Sequence, residues 1–451
     1  MTRFDTIVIG AGMAGVASAR MLGDAGQSVV VLEARDRIGG RMHSDRSAGF
    51  AVDLGASWIH GVDGSPLWNL VRSLGIPTLE FTVGSFQAGG RPIEHFDDAG
   101  APMDADSTAR WIADVESADR ALVDEIARSA PGDTYLDVTE RVLDRTGWEP
   151  GRIDEVREFF RHRVEEQCGA WIGDLDAHGL DEDAIEGDEV IFPRGYDELP
   201  RRIASGLDIR LSHIVTRVSW SSSGVAVATA QGDFQADRAV VTVPLGVLKA
   251  DAIGFDPVLP DQVATPIARL GMGVFNKVFL QFPDRFWAEG SYVLRALGEP
   301  GEHWHSWYDV SAISGRPTLL TFAAGPFGRY VQAMPDHDVV ADVVAALRRL
   351  YGAAVGDPDA HWVTRWGDDP FSRGSYSHIA VGASHRDHDD LAGPVEGVLH
   401  FAGEATWGEE PATVGAALYS GHRAAERILG RAIELDDLAK NVLERERRGS
   451  R

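Results

Sequence analysis

Three glycines near the start of the chain, Gly10, Gly12 and Gly15, have the spacing of a phosphate-binding turn. They follow a β-branched run, Ile7 to Ile9, and precede an apolar helical pattern at 16–24. In this context the first glycine permits a tight turn, the second lets backbone N–H groups approach a pyrophosphate, and the third lets the helix pack on the strand. The positive N-terminus of the helix would face the phosphates. These residues therefore predict a dinucleotide site.

The residues after this unit indicate which dinucleotide is bound. A second strand pattern at 29–32 ends at Glu33, the spacing expected for a carboxylate that contacts a ribose 2′-hydroxyl. The next segment adds a second glycine pair and two arginines that could neutralise a diphosphate. These residues are Arg35, Gly39, Gly40 and Arg41. Because this extension resembles that of FAD-binding oxidoreductases, we expect FAD rather than NAD.

Composition excludes several classes of protein. The formal charge is −26, whereas a nucleic-acid-binding protein needs a basic face. No run of 18 apolar residues predicts a membrane span, and the N-terminus shows no secretory signal. A single cysteine, Cys168, excludes an internal disulfide and favours a cytoplasmic location. The negative charge is compatible with steering of a cationic substrate and, equally, with simple solubility.

The elements that must position these residues alternate along the chain. We expect an α/β fold in which an FAD-binding, Rossmann-like domain is interleaved with an α+β substrate-binding domain. The FAD-binding domain is predicted at 1–80, 190–270 and 385–430, and the substrate domain at 81–189 and 271–384, with a tail at 431–451. The first substrate block is predicted to be mostly helical, with helices at 107–130, 135–146 and 152–171.

Three local patterns carry more specific expectations. Strands at 190–192, 234–236 and 239–244 are assigned to the nucleotide sheet, and the acidic run at 174–189 to a solvated loop. The pair His303 and His305 is predicted to alternate along a strand, and 385–390 to form a polar loop. Since no cysteine or third ligand at fixed spacing accompanies these histidines, no metal site is predicted.

Several further segments resemble the flavin-containing amine oxidases, specifically the branch of polyamine oxidases and lysine-specific histone demethylases. The resemblance covers about residues 4–430. The matching segments are 40–41, 52–61 (VDLGASWIHG), 242–249, 275–278, 369–377, 401–406 and 411–414. The resemblance implies the two-domain amine oxidase fold. It also implies noncovalent FAD, because no cysteine lies near 404–413 to form a covalent bond to the flavin.

The resemblance also assigns cofactor contacts. Glu404 is expected to hold the ribityl–pyrophosphate region, and Val215 to contact adenine through its backbone. The N–H groups at Thr413 and Val414 open a helix whose dipole would face the pyrimidine ring. The loop expected under the flavin contains Gly55, Ala56, Ser57 and Trp58.

Four residues are implied at the reacting end. Lys277 is expected to hold a water molecule against flavin N5, and His60 to lie beside the substrate. Tyr376 and Thr413 match two positions that face each other in front of the flavin. Many amine oxidases have two aromatic residues there, so Thr413 leaves the aromatic cage incomplete. This departure resembles the demethylases and argues against a simple preference for monoamines.

The predicted function is that of an FAD-dependent amine oxidase acting on a polyamine or related secondary amine. Its expected partners are a small-molecule amine and O2, with hydride transfer to the flavin, imine hydrolysis to an aldehyde and release of H2O2. A flavin oxidase of amino acids, aromatic monoamines or a biosynthetic intermediate is the alternative within enzymes. A chromatin-binding protein and a flavin-binding protein without turnover are alternatives from other classes. The pattern does not specify an oligomeric state.

Overall fold

The structure is a computed structural model that describes residues 3–82, 92–180 and 186–449. Part of the predicted acidic loop, 181–185, lies outside the described residues, as does 83–91 of the first substrate block. The strands are β1 Arg3–Ile9, β2 Val29–Leu32, β3 Ser44–Asp45, β4 Val52–Asp53, β5 Trp58–Ile59, β6 Leu79–Glu80, β7 Ile93–Phe96, β8 Val190–Ile191, β9 Ile209–Arg210, β10 Val215–Ser221, β11 Gly224–Thr229, β12 Gly232–Val241, β13 Gly254–Asp256, β14 Gly271–Met272, β15 Phe275–Gln281, β16 Val293–Ala296, β17 Ser306–Asp309, β18 Thr318–Ala324, β19 Ala360–Val363, β20 Ser377–His378 and β21 Leu399–Phe401. The α-helices are α1 Met13–Asp24, α2 Pro66–Ser73, α3 Ala105–Ile126, α4 Tyr135–Asp144, α5 Pro150–Cys168, α6 Glu198–Ala204, α7 Leu245–Lys249, α8 Asp261–Arg269, α9 Ser311–Ser314, α10 Gly325–Gln332, α11 Asp336–Tyr351, α12 His385–Leu391, α13 Val414–Leu429 and α14 Asp436–Gly449.

The largest sheet contains the predicted nucleotide unit. Its strand order is β13-β10-β11-β12-β1-β2-β9, and β21 also pairs with β12. The first half of β12 pairs antiparallel with β11, and its last three residues pair in parallel with β21. The prediction of two strands at 234–236 and 239–244 is therefore wrong. They form one strand, which pairs first with β11 and then with β21 on the same edge. The strand ends at Val241, before Pro244.

Both faces of this sheet are buried, which explains the continuous apolar run in β1. Val8 belongs to a core with α1 and α13, whereas Ile7 and Ile9 belong to a second core on the opposite face. Successive side chains of a strand point to opposite faces, so a strand covered on both sides must be apolar throughout. The parallel pairing of β1 with β2 and β12, with α1 between β1 and β2, gives the Rossmann-like arrangement.

A second sheet of six strands has the order β19-β15-β18-β17-β16-β7 and is antiparallel except between β7 and β16. Helices α3, α4 and α5 pack around a core of their own. The predicted helices are present with shifted ends. Asp104 accepts a hydrogen bond from Ser107 N at 2.7 Å and starts α3 two residues early, and Gly169 in the left-handed conformation ends α5 before Trp171.

A small sheet of order β5-β8-β6 lies apart from both larger sheets. Trp58 pairs with Ile191 and Ile59 pairs with Val190. The assignment of 190–192 to the nucleotide sheet is therefore wrong. Strand β8, which follows the acidic run, instead pairs with β5, which follows the loop after β4. These two strands are distant in sequence.

The histidine-rich segments also differ from expectation. His303 and His305 precede β17 and do not alternate along it. Residues 385–390, predicted as a polar loop, form most of α12, because Ser384 and Asp387 make a capping box at its start. Within the described ranges, no group of three or more His, Cys, Asp or Glu residues could hold a metal ion. Over the same ranges, no helix is long and apolar enough to cross a membrane.

Candidate active site

A cavity of about 1470 Å³ contains almost all the predicted site residues. It is lined by the glycine turn after β1, the loop between β4 and β5, strand β15 and the segment that leads into α13. Of the predicted site residues, only Gly15 does not line it. Ordinary small-molecule sites occupy about 300–1,000 Å³. The cavity therefore has room for a dinucleotide together with a second small molecule.

The three glycines of the turn serve different needs. Gly10 has φ +106° and a Cβ there would lie 2.7 Å from Thr242 Oγ1, while a Cβ on Gly15 would lie 2.0 Å from the Gly10 carbonyl oxygen. These two glycines are required by the packing of the protein. Gly12 has an extended conformation and a Cβ on it would meet no protein atom within 4 Å. Its lack of a side chain instead leaves the cavity wall open, as the approach of a pyrophosphate requires.

Glu33 is buried at the end of β2 and holds the turn. Its Oε2 accepts a hydrogen bond from Ala11 N at 2.6 Å, and its Oε1 accepts one from Arg35 N at 2.9 Å. Burial raises the pKa of this carboxyl, against the effect of the two N–H donors. The carboxylate also lines the cavity. The predicted ribose contact therefore belongs to a group whose position the backbone already fixes.

Arg35 and Arg41 are not free cations. Arg35 donates two hydrogen bonds of 2.7 Å to Asp369, and Arg41 Nη1 donates to Glu404 Oε1 at 2.8 Å and to the Ser375 carbonyl at 2.9 Å. Each arginine therefore has an acidic partner within the protein, and the neutralisation of a diphosphate by Arg35 and Arg41 stays a prediction. Both arginines also join the nucleotide turn to segment 369–377.

Glu404 is the buried partner in one of these pairs. Its Oε2 accepts a hydrogen bond from Ser377 Oγ at 2.6 Å. Burial acts to raise the pKa of Glu404, but the Arg41 guanidinium and the Ser377 hydroxyl outweigh it and hold the pKa below its usual value. Glu404 therefore stays ionised, which suits an acceptor of hydrogen bonds from ligand hydroxyl groups.

Thr413 forms the N-cap of α13. Its hydroxyl oxygen accepts a hydrogen bond from Ala416 N at 2.9 Å and donates to the Glu410 carbonyl at 2.9 Å. The N–H groups of Val414 and Gly415 lie at the cavity wall without an acceptor among the described residues. The helix therefore presents a positive end to the cavity.

At the opposite end of the nucleotide turn, Val215 is the buried first residue of β10 and lines the cavity beside His213 and Ile214. It shares this cavity with Gly12, and its contact with adenine stays a prediction.

Lys277 brings β15 into contact with the loop between β4 and β5. Its buried ammonium donates hydrogen bonds to the Gly55 carbonyl at 2.6 Å, to the Asp53 carbonyl at 3.1 Å and to Ser57 Oγ. It also lies 5.4 Å from the centroid of the Trp58 ring. Burial lowers the pKa of Lys277, and the Asp53 carboxyl opposes this effect.

Aromatic side chains form the walls around this lysine. The centroid of the Tyr308 ring lies 6.3 Å from that of Trp58 and 5.1 Å from that of Phe322. The ring centroids of Tyr376 and Phe275 are 5.8 Å apart. Burial raises the pKa of the Tyr376 hydroxyl, which donates to the Glu166 carbonyl at 2.7 Å. The sequence marked aromatic strands in 271–384 but could not select Tyr308 or Phe322, because alternation does not tell which face of a strand meets the cavity.

His60 and Glu189 form a pair at the edge of the small sheet. His60 Nδ1 lies 2.5 Å from Glu189 Oε1, and the imidazole stacks on Trp58 with ring centroids 6.4 Å apart and planes 10° apart. Glu189 is only 6% exposed, so its assignment to a solvated acidic loop is wrong. No sequence signal separated it from the other acids in the run.

Comparisons with known proteins identify the family of this chain. The profile of the family described as flavin containing amine oxidoreductase matches residues 13–429. Polyamine oxidase 4 of Oryza sativa subsp. japonica is 34% identical over 95% of this chain and 89% of its own. Polyamine oxidase 2 of Arabidopsis thaliana is 34% identical over 95% and 90%, respectively. Lysine-specific histone demethylase 1 homolog 3 of Oryza sativa subsp. japonica is 35% identical over 95% of this chain but only 54% of its own.

Two solved structures share the fold. A putrescine oxidase bound to putrescine superposes with a TM-score of 0.76 at 23% identity, covering 95% of this chain and 100% of its own. The cyclohexylamine oxidase of Brevibacterium oxydans superposes with a TM-score of 0.77 at 23% identity, covering 95% and 99%. The open wall at Gly12, the ionised Glu404 and the free N–H groups of α13 suit FAD, the cofactor of this enzyme. With a family match over most of its length, the chain belongs to the flavin-containing amine oxidoreductases.

Proposed function

We propose that this enzyme oxidises polyamines or related secondary amines and binds FAD noncovalently. The observation that carries the proposal is the contact of the buried Lys277 ammonium with the 53–57 loop, in the cavity that also contains Gly12. The polyamine oxidases named above, which match about nine tenths of their own length, support the same substrate class.

When bound, FAD would accept a hydride from the carbon beside the amine nitrogen, after which the imine hydrolyses to an aldehyde and O2 reoxidises the cofactor with release of H2O2. The protein binds and orients the amine. Trp58, Tyr308, Phe322 and Tyr376 provide apolar walls that exclude water from the reacting carbon. The reacting nitrogen must be unprotonated, because an ammonium has no lone pair to stabilise the developing cation.

We assign the cofactor to the backbone around Gly12, to Glu33 and Glu404, and to the N–H groups that begin α13. Lys277, His60, Tyr376 and Thr413 are assigned to the reacting end. Lys277 already has three oxygen acceptors, so its proposed role is to fix the 53–57 loop and to present a cation to that end of the cavity. Thr413 is proposed to act through its cap of α13, because its hydroxyl is already used there.

The charges in the cavity favour a cationic substrate over an amino acid. Glu166 and Glu189 face the aromatic end, and burial raises the pKa of Glu166 to about 7. An amino acid oxidase needs a cation for the substrate carboxylate. Lys277, the cation described at this end, is occupied by the 53–57 loop. A protonated second nitrogen of a polyamine would instead meet the Glu166 carboxyl group, because the Glu189 carboxylate is engaged by His60.

The domain division and the cellular location are part of the proposal. We assign 1–80, 190–270 and 385–430 to the FAD-binding domain and 81–189 and 271–384 to the substrate domain, and the two larger sheets support this division. The single cysteine supports a reducing, cytoplasmic location.

The test is an H2O2-release screen over spermine, spermidine, their acetylated forms, putrescine, benzylamine and amino acids. We expect the highest kcat/KM for a polyamine. Acid precipitation should leave the yellow colour in the supernatant as FAD. Faster turnover of benzylamine or an amino acid would contradict the polyamine assignment, and a yellow pellet would contradict noncovalent binding.

A further inference from the structure

The small sheet places a carboxylate opposite the active-site histidine. Ile59 pairs with Val190 across β5 and β8, which run antiparallel. The next residue along one strand is His60, and the preceding residue along the other is Glu189. In an antiparallel ladder these two positions face each other, so the register itself brings the imidazole and the carboxylate together.

Glu189 is held rigidly. Its backbone N–H donates to Thr82 Oγ1 at 3.0 Å, and its carbonyl accepts from Phe81 N at 2.8 Å. The side chain is 7% exposed. A carboxylate fixed on both sides of its backbone can define the orientation of a neighbouring ring.

The imidazole of His60 is fixed on one edge and open on the other. Nδ1 is engaged by Glu189 at 2.5 Å, and one ring face stacks on Trp58. Nε2 makes no hydrogen bond within the described part of the chain, and the side chain is 59% exposed at the cavity wall. A carboxylate accepts hydrogen bonds and does not donate them, so Nδ1 must carry the proton. The lone pair of Nε2 is then left for a ligand.

We propose that Glu189 is a positioning residue that keeps His60 in the Nδ1–H tautomer, so that Nε2 accepts the proton of the substrate's reacting nitrogen. This inference rests on the proposed amine oxidase function. The substrate N–H bond breaks, the proton forms an N–H bond at Nε2, and the electron pair stays on the amine nitrogen. The imidazolium has the Glu189 carboxylate as its counter-charge and passes the proton to solvent.

Substitution of Glu189 by glutamine tests the role of its charge and of its acceptor geometry. A glutamine amide can either accept from Nδ1 or donate to it, so it removes the counter-charge and no longer excludes the tautomer in which Nε2 carries a hydrogen and cannot accept one. With spermine as the probe, we expect Glu189→Gln to lower the rate constant of anaerobic flavin reduction about 100-fold, the scale of a general base. The dissociation constant for spermine and the FAD content should change little.

The matched control is Asp188→Asn. It removes one negative charge from the neighbouring residue, which is exposed and does not line the cavity. Its flavin reduction rate should stay within twofold of the wild type, in keeping with the small effects of surface substitutions.

A double-mutant cycle with His60→Gln separates positioning from other roles. If Glu189 acts through His60, Glu189→Gln should cost almost nothing further in the His60→Gln background. An equal additional loss there would overturn the inference, as it would show Glu189 acting on substrate or fold directly. Loss of FAD from Glu189→Gln, or an unchanged rate, would overturn it too. A wild type that oxidises no amine would instead overturn the proposed function itself.

Discussion

The two ends of the cavity are built in different ways. The nucleotide end relies largely on backbone N–H groups, those of the turn at Gly10 to Gly15, held by Glu33, and those that begin α13. The reacting end consists of side chains from segments far apart in the chain, among them His60, Glu189 and Lys277. A backbone site is therefore broken by adding atoms, whereas a side-chain site is broken by removing them.

The largest effect is expected from adding atoms at the nucleotide end. Gly12→Val should abolish FAD binding, because its side chain would occupy the space that the pyrophosphate needs. A Cβ at this position meets no protein atom within 4 Å, so the fold should persist. Absorbance at 450 nm and circular dichroism of the purified protein measure the two effects.

The control for this substitution is Gly23→Ala in α1, the helix that begins directly after Gly12. A Cβ there also meets no atom within 4 Å, and Gly23 does not line the cavity. This variant should keep full FAD and gain about 0.5–1 kcal/mol in stability. Stoichiometric FAD in Gly12→Val would show that the nucleotide site is wrongly assigned.

Removal of a side chain at the reacting end should have the next largest effect. Lys277→Met should keep FAD but slow flavin reduction or reoxidation about 100-fold, the scale of losing a preorganised charged donor. Stopped-flow measurement of both half-reactions checks this. If Lys277→Met showed the same rates of flavin reduction and of flavin reoxidation as the wild type, Lys277 would have no role in the chemistry.

The same lysine predicts a pH dependence. Burial lowers the pKa of Lys277, so the ammonium is lost at a lower pH than that of an exposed lysine, about 10.4. Activity that needs the ammonium is present below the lowered pKa and disappears as the pH rises through it. Lys277→Met should lack this alkaline limb.

A smaller effect, on stability alone, is expected from Lys249. Its ammonium donates to the carbonyls of Ile267, Ala268 and Leu270 at 2.7–3.0 Å, at the end of α8. Lys249→Met should lower the free energy of unfolding by about 1–3 kcal/mol and leave kcat unchanged. Lys440→Met, at an exposed position of α14, is the control and should change stability by less than about 0.5 kcal/mol. A loss of activity without a loss of stability in Lys249→Met would mean that both lysines serve the reaction.

The smallest effect is expected from salt. If the charge of −26 helps to capture a polycation, kcat/KM for spermine should fall several-fold between about 10 and 300 mM salt. Screening acts beyond a Debye length of about 10 Å at 0.1 M, so benzylamine should show a shallower fall. If kcat/KM fell equally with salt for spermine and for benzylamine, the negative charge would serve solubility and not the capture of a polycation.

The contrast between the two ends also explains what the sequence could predict. The glycine turn could be predicted from the sequence, because a phosphate-binding turn is recognised by the spacing of its glycines within one segment and by the strand before it. The pairing of Arg35 with Asp369 and the contact of Lys277 with Gly55 join residues far apart in the chain. Only the resemblance to a family indicated that the segments of these residues belong together.

Local patterns failed where a tertiary contact overrode them. The sequence pattern divides β12 at the charged pair 237–238, whereas the backbone runs on from the half that pairs with β11 to the half that pairs with β21. An acidic run is usually exposed, and its pattern therefore predicts that Glu189 is exposed to solvent. Its burial follows from the pairing of β8 with β5 and β6, which residue types alone do not encode.

The scarcity of lysine has a consequence for an enzyme that would release an aldehyde. Lysine occurs only at positions 249, 277 and 440. The first two ammonium groups are held by carbonyl oxygens, and Lys440 is 67% exposed on α14. Cys168 is buried, and its burial raises the thiol pKa to about 12. The chain thus offers few reactive nucleophiles to its own product, which should limit inactivation by imine and thiol adducts during prolonged turnover.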